Sequence, residues 1–427
     1  MVEPSEIKKL QGKKQMHRKT ALGIYLGNML DHFDTSLYAF LSPLFATLFF
    51  PNQDYITALI ITYSFIPISK LAKPIGALYF GHLGDSSGRE KALRYSLGGM
   101  AISTFFIGSL PTYSSIGMLA PFLLLFARAF QSFCSAGQTI GAAIYWLENT
   151  KEEKRDFTSG LFSTSTIAGI LLSSTSISFL YQLEVISSTW RLLYYFGVST
   201  ALITFFLRKE DVKTSAITAV PFAKRIKDLW EMRKKIGVVV LASGFSHATY
   251  MMIFVLLIGF VPMVTSVSEA EMMQSNNWLL LLDFLLLPIF GYLGGKISRE
   301  KLMIGSALCI GVLALPLFSI LNAENAQLIR VLLVILGVGF CATFHSWSQT
   351  FAPKSHRYSL VSFSYTLGSQ VIGGTTAALS LCIYKLTNIP SSICWYWLFL
   401  ALFTSYILLK ARQIETSCES KELPISQ

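Results

Sequence analysis

Long apolar stretches alternate with short polar ones from residue 21 to residue 409. Twelve of them are about as long as a helix needs to cross a bilayer, roughly 20 residues: 21–49, 55–80, 93–111, 117–147, 158–180, 190–207, 236–264, 274–293, 302–321, 326–350, 358–382 and 391–409. The stretch 190–207 is short, and 274–293 is interrupted by Asp283. The pattern predicts an all-α polytopic membrane chain of six plus six helices. Its expected units are a tail 1–20, a bundle 21–207, a linker 208–235, a second bundle 236–409 and a tail 410–427. Composition agrees: 52% of the 427 residues are hydrophobic, 14% are charged and mean hydropathy is +0.53, too apolar for an ordinary soluble domain.

One polar turn occurs twice. Gly81-His-Leu-Gly-Asp-Ser-Ser-Gly-Arg-Glu-Lys91 returns 210 residues later as Gly291-Tyr-Leu-Gly-Gly-Lys-Ile-Ser-Arg-Glu-Lys301, with six identities in eleven positions. A Gly-rich basic turn is an ordinary way to join two spans. Its recurrence at the same point of each half nevertheless reads as a duplicated membrane domain, the architecture of secondary transporters whose halves rock about a site between them. In the first copy, Gly81, Gly84 and Gly88 allow close helix approach and a sharp reversal. Arg89 holds the turn on the basic side, and Asp85 is an acid where topology favours a base. Its charge is expected to latch the cytoplasmic side by facing the N-terminus of a neighbouring helix. Gly295 stands in its place in the second copy, so the latch is expected to be one-sided.

Charge sets orientation. With both termini cytoplasmic, 29 of the 35 Lys and Arg fall on the cytoplasmic side, counting Arg94 at the mouth of the third span, and only Lys385 falls in an outer loop. That bias is the positive-inside rule. The net charge of +11 therefore reports topology beside anionic lipid, and no nucleic acid is implied. The stretch Phe222–Trp230 in the linker has amphipathic spacing and fits either a membrane-surface helix or a solvated one. The N-terminus lacks a cleavage site of small residues, which reads as an uncleaved start. Six cysteines without ligand spacing indicate neither a disulfide framework nor a metal site. No phosphate-cradling loop points to ATP, and no hydrolase or zinc-protease motif points to an enzyme. A polytopic membrane enzyme is the alternative of a different class.

Mid-span charges carry the candidate chemistry. Asp31, Asp34, Lys70, Lys73, Arg128 and Asp283 lie inside spans, three acids against three bases. Exposed to lipid each would cost a few kcal/mol, so they should face the interior and pair. Helical spacing places Asn28, Asp31, Asp34 or Thr35, and Tyr38 on one face of the first span, and Arg128, Gln131, Ser135 and Gln138 on one face of the fourth. Desolvation opposes ionisation of such an acid and a neighbouring cation favours it. An acid poised between the two can bind a proton on one side and release it on the other. Asp34 is the first candidate for proton coupling and Asp31 the second. Arg128 offers a planar fork for a carboxylate, with Gln131, Gln138, Asn28 and Tyr38 as further hydrogen-bonding groups. Since the six charges sum to zero, protonating one acid leaves a cation to be matched by an incoming anion. Asp283 fits structural pairing equally well. His32, His247 and His345 fit packing roles, with His247, near Tyr250, the best placed to meet a solute. Gly160, Gly169, Gly368, Gly373 and Gly374 mark close-packing surfaces on the fifth and eleventh spans.

The repeated turn resembles the signature loop of the major facilitator superfamily. Within it, the first half is similar to the metabolite:proton symporters, which include proline/betaine, citrate, 2-oxoglutarate and shikimate permeases. Gly27-Asn-Met-Leu-Asp-His-Phe-Asp-Thr-Ser-Leu-Tyr38 stands for that branch's G-N-x-x-E-W-Y-D-F-x-x-Y. Lys73-Pro-Ile-Gly-Ala-Leu-Tyr-Phe-Gly81 stands for R-P-x-G-x-x-x-F-G, and Ala127-Arg-Ala-Phe-Gln-Ser-Phe-Cys-Ser-Ala-Gly-Gln138 for A-R-x-x-Q-G-x-x-x-G-G-E. Asp31 and His32 replace Glu-Trp, Lys73 replaces Arg, and Gln138 replaces Glu, so the solute is not inherited with the motif. The resemblance implies a cavity lined by spans one and four and a monomer in the cell membrane, here a bacterial inner membrane. It makes Lys73, at the family's Arg position, a further candidate. It also implies a proton gradient in place of a cofactor. The expected activity is proton-coupled uptake of a small carboxylate-bearing metabolite, an organic acid or a zwitterion, by alternating access. Proton-driven efflux is the alternative, and the fifth span lacks the G-P glycine motif of the drug antiporters.

Overall fold

The computed structural model describes residues 18–87, 89–136, 143, 146, 147, 150–208, 230–351 and 357–419. Gly88, Gln138 and most of the expected linker and tails lie outside them, and at Gly81, Gly84, Asp85 and Arg89 only the backbone is described. The described chain is helical with no strand. Span one is Arg18–Phe49; span two runs Tyr55–Lys70 and, after Leu71, Ala72–Ser87; span three is Arg89–Ser109 and span four Leu119–Ser135. Spans five and six are Arg155–Gln182 and Ile186–Arg208. Span seven joins Arg233–Tyr250 to Leu257–Val264 through a π-helical turn at Met251–Leu256. Spans eight, nine and ten are Glu269–Ile297, Arg299–Ser319 and Ala326–Phe351. Span eleven joins Arg357–Leu367 to Thr376–Thr387 through a second π-helical turn at Gly368–Gly373, and span twelve is Trp395–Glu419.

Eight stretches among the described residues are both long and apolar enough to cross a membrane. Spans one, three, four and six are not among them: the described helix of span four is apolar but only 17 residues long, and span one carries Asp31, His32 and Asp34. The surface is inverted relative to a soluble protein. Large apolar side chains such as Ile75, Phe122 and Val312 are exposed on the outside, whereas Asp34, Arg128, Gln131 and a run of serines on span five are buried. Only a lipid solvent favours that exchange. Many buried hydroxyls return their hydrogen to the carbonyl three or four residues back, as Ser42 does to Tyr38 and Thr62 to Ala58, and so keep it paired within their own helix.

Small residues set the closest helix approaches. A Cβ on Gly169 would run into the carbonyl of Met29, so spans five and one meet backbone to backbone. A Cβ on Gly160 would sit 2.5 Å from the carbonyl of Leu287, which brings span five of the first half onto span eight of the second. Gly368 and Gly373 pack in the same way on Val240 and Gly244 of span seven, but Gly374 meets only its own helix at Gln370.

The repeated turn is tighter than its glycines suggest. In the second copy the helix runs through Gly291 and Gly294 to Ile297, and the whole reversal falls on Ser298, at φ 136 and ψ 128. In the first copy the helix likewise runs through Gly81, Gly84 and Asp85 to Ser87. The repeat register aligns Ser298 with Gly88. A side chain at positive φ is strained by about 1–3 kcal/mol where glycine is not. Ser298→Gly is therefore expected to raise the melting temperature in detergent, an increase of about 1 kcal/mol in stability. An unchanged or lowered melting temperature would show that Ser298 is relaxed.

Candidate functional site

A cavity of about 230 Å³ lies between the two sets of six helices, at mid-height. Span one turns Asp31, His32, Thr35, Ser36 and Ala39 toward it, the i, i+4 stripe of a helix. Asn28, Asp34 and Tyr38, expected on that face, lie to its sides. Asn28 donates to Ser165 Oγ and Thr166 Oγ1 of span five, both at 2.8 Å, and so ties spans one and five together. Tyr38 is fully buried and donates to the Thr62 carbonyl of span two at 2.8 Å. Gln131 is buried behind the cavity wall, and Arg128, Lys73 and His247 line it.

Asp34 sits inside the first half as the end of a chain of hydrogen bonds. Its Oδ2 accepts from Gln131 Nε2 at 2.6 Å and from Thr104 Oγ1 at 2.9 Å. Gln131 Oε1 in turn accepts from the Arg128 guanidinium at 2.5 Å, whose carbon lies 4.5 Å from the centre of the Tyr38 ring. Asp34 and the cavity-facing Arg128 are thus joined through one amide, and no ion pair joins Arg128 to a described residue. Asp34 Oδ1 is buried without a hydrogen-bond partner, in a gap that exists because residue 197 is glycine: a Cβ there would stand 2.9 Å away. That oxygen has room for a hydrogen and no donor to compete with it.

The other histidines are not packing residues away from the site. His32 and His345 line the cavity along with His247. His32 Nδ1 meets the Asn28 carbonyl at 2.9 Å, and the His345 ring stands edge-on to Phe162 at 5.4 Å. Lys70 and Asp283 also face the cavity, as do Tyr250, Tyr365 and Gln370 of the second half. The buried charges are not balanced at six. Arg330 of span ten is fully buried, held by Ser275 Oγ at 2.9 Å and Asn276 Oδ1 at 2.5 Å. No described acid pairs with it, so it adds a positive charge to the interior beyond the six mid-span charges. A larger hollow of about 520 Å³ between the far ends of spans two and four carries no acidic or basic side chain.

The halves touch on both sides of the cavity. On the basic face, Arg299 Nε and Nη2 grip Asp156 Oδ1 and Oδ2 at 2.5 and 3.0 Å, a fork-to-fork pair with Asp156 buried. The second copy of the turn thus has an acid to hold although Gly295 stands at the position of Asp85. Arg299 belongs to the second copy of the turn, and its acid comes from span five of the other half. Gly295 makes the room, since a Cβ there would lie 3.1 Å from Asp156 Oδ2. On the far face, Tyr55 and Tyr181 donate to Glu269 at 2.6 and 3.3 Å, and Lys385 pairs with Asp54 at 3.2 Å. The Thr57 hydroxyl and amide, with Lys385, hold the exposed Asp54 carboxyl down at about 2, so this contact stays charged at working pH and is no proton switch.

A hydrogen-bonded ion pair of the Asp156–Arg299 kind is worth about 1.5–3 kcal/mol. Asp156→Asn is expected to speed labelling of a cavity cysteine from the basic face roughly ten- to hundredfold, the same energy expressed as a population shift. Labelling at the wild-type rate would mean the pair does not hold that side shut.

Comparison with known proteins places this geometry. The sequence model of the Major Facilitator Superfamily matches residues 24–378. A putative proline/betaine transporter of Staphylococcus aureus (strain COL) is 28% identical over 400 residues, covering 89% of this chain and 84% of that protein. The proline/betaine transporter of Salmonella typhimurium (strain LT2) is 26% identical over 389 residues, covering 85% and 77%. Among solved structures, the D-xylose-proton symporter superposes with a TM-score of 0.69 at 14% identity, covering 91% of this chain and 96% of that one.

Proposed function

The chain belongs to the major facilitator superfamily, and we propose that it takes up a small carboxylate-bearing metabolite together with a proton, by alternating access, with both termini in the cytoplasm of a bacterial cell. The observation that carries this reading is the chain Asp34–Gln131–Arg128, which links a buried acid to a cation on the cavity wall. While Asp34 is ionised, its charge compensates Arg128 through the polarised Gln131 amide. A proton on Asp34 removes that compensation and leaves the guanidinium facing a low-dielectric cavity. An uncompensated charge there is costly, and a solute carboxylate is the group that relieves it. Proton and solute therefore favour each other's binding, which is what coupled transport requires. The relatives named as proline/betaine transporters support a small carboxylate-bearing solute. The Asp156–Arg299 pair and the Lys385–Asp54 pair supply the contacts that must break in turn for the cavity to open to either side.

The test is uptake by proteoliposomes holding the purified protein, with an inside-alkaline pH gradient and a panel of labelled proline, betaine and mono- and dicarboxylic acids. At least one solute should accumulate only while the gradient lasts. If none does, and lipophilic cations are expelled, the direction and substrate class are both wrong.

A further inference from the structure

Asp283 is buried on span eight, lines the cavity and makes no hydrogen bond or ion pair with any described residue. Asp34 is its opposite in setting: withdrawn behind the cavity wall and supplied with two donors. An acid that only stored a proton would need no view of the cavity. Asp283 has that view, and its surroundings suit a cation. Tyr250 lines the same cavity, with a phenol oxygen that is buried and unpartnered. The Tyr250 ring packs on Phe254 at 5.4 Å, giving the cavity an aromatic surface on the half that also presents Asp283. Tyr250 immediately precedes the π-helical turn Met251–Leu256 and Phe254 lies within it, a local distortion that commonly occurs at functional sites. Facing them from the first half are Lys70 and Arg128, which likewise form no ion pair with a described residue. The cavity is polarised: its first-half wall carries Lys70, Lys73 and Arg128 against the single acid Asp31, and its second-half wall carries Asp283 with Tyr250 and Phe254.

We propose that Asp283 is the specificity-determining residue that receives the cationic nitrogen of a zwitterionic solute whose carboxylate rests on Arg128 and Lys70. This rests on the carboxylate reading above and deepens it, because it chooses the zwitterion over the simple organic acid. A solute held this way touches both halves, so its two charges draw spans two and four toward spans seven and eight.

Glycine betaine and 3,3-dimethylbutanoate share a shape and a carboxylate, and differ in having N⁺ or carbon at the centre of the trimethyl group. Binding of both to the purified protein separates the two ends of the site. Wild type should prefer betaine by roughly tenfold or more, the worth of a desolvated quaternary ammonium held by charge and aromatic faces with no N–H to donate. Asp283→Asn should erase that preference by weakening betaine alone, and its retained affinity for 3,3-dimethylbutanoate shows that the variant is folded. Arg128→Lys should weaken both ligands and keep their ratio. Equal binding of the two by wild type, a preference that survives in Asp283→Asn, or loss of both ligands from that variant would each overturn the assignment of Asp283 and leave the carboxylate reading standing. A wild type that binds neither probe would overturn the zwitterion assignment, and the carboxylate reading then stands or falls on the uptake panel above.

Discussion

Asp34→Asn is expected to abolish gradient-driven accumulation while leaving solute exchange across the membrane. The substitution keeps the shape and the hydrogen bonds that Gln131 and Thr104 donate, because an amide oxygen accepts where Oδ2 does now. It removes the charge and the oxygen that takes the proton. One pH unit is worth about 1.4 kcal/mol per proton, so a one-proton symporter should concentrate its solute roughly tenfold per unit of gradient. The Asn variant should reach a ratio of one. Counterflow of labelled against unlabelled solute needs no proton step and should persist, since Arg128 and the cavity are intact. Full accumulation by the variant would move the proton site elsewhere, with Asp31, which lines the cavity, the next to examine.

Arg128 should show the largest effect on binding. It contributes the guanidinium nearest both the Asp34 relay and the cavity, and its Nε is buried with no partner. Arg128→Lys keeps the charge but replaces a planar fork by a point donor. It also loses the bond to Gln131 and the stacking on Tyr38. A loss of about 1.5–3 kcal/mol, or roughly ten- to hundredfold in affinity, should follow. Arg128→Ala should bind no solute measurably. Melting curves of the variants in detergent separate this from misfolding, because neither substitution touches the backbone packing of Gly160 and Gly169 that joins the spans. Normal affinity in Arg128→Ala would place the carboxylate on Lys70 or Lys73 instead.

The span pattern and the duplication were legible in the sequence because a membrane imposes a coarse rule, about 20 apolar residues per crossing. A turn that joins two spans must recur wherever a domain has been copied. The charges in the spans were legible for the same reason, since each is expensive and therefore conspicuous. Which way they face was not. Helical spacing shows that Asn28, Asp31 and Tyr38 lie near one another on span one. It does not show which neighbour covers which side, and Asn28 turned to span five while Asp31 met the cavity. Asp283, His345 and Gln370 come one each from spans eight, ten and eleven, so no local motif announces them together. The Asp156–Arg299 pair joins residues 143 apart. Its one trace in the sequence is Gly295, standing where the first copy has an acid.

The central claim is that a proton enters with each solute because Asp34 and Arg128 share one hydrogen-bonded amide. Proteoliposomes loaded with a pH-sensitive dye, with no imposed gradient, test it most directly. Adding a transported solute outside should acidify the lumen in the wild type, at a rate proportional to solute entry. In Asp34→Asn the solute should still enter and equilibrate with no acidification. Solute entry without proton entry in the wild type, or unchanged acidification in Asp34→Asn, would contradict the coupling proposed here.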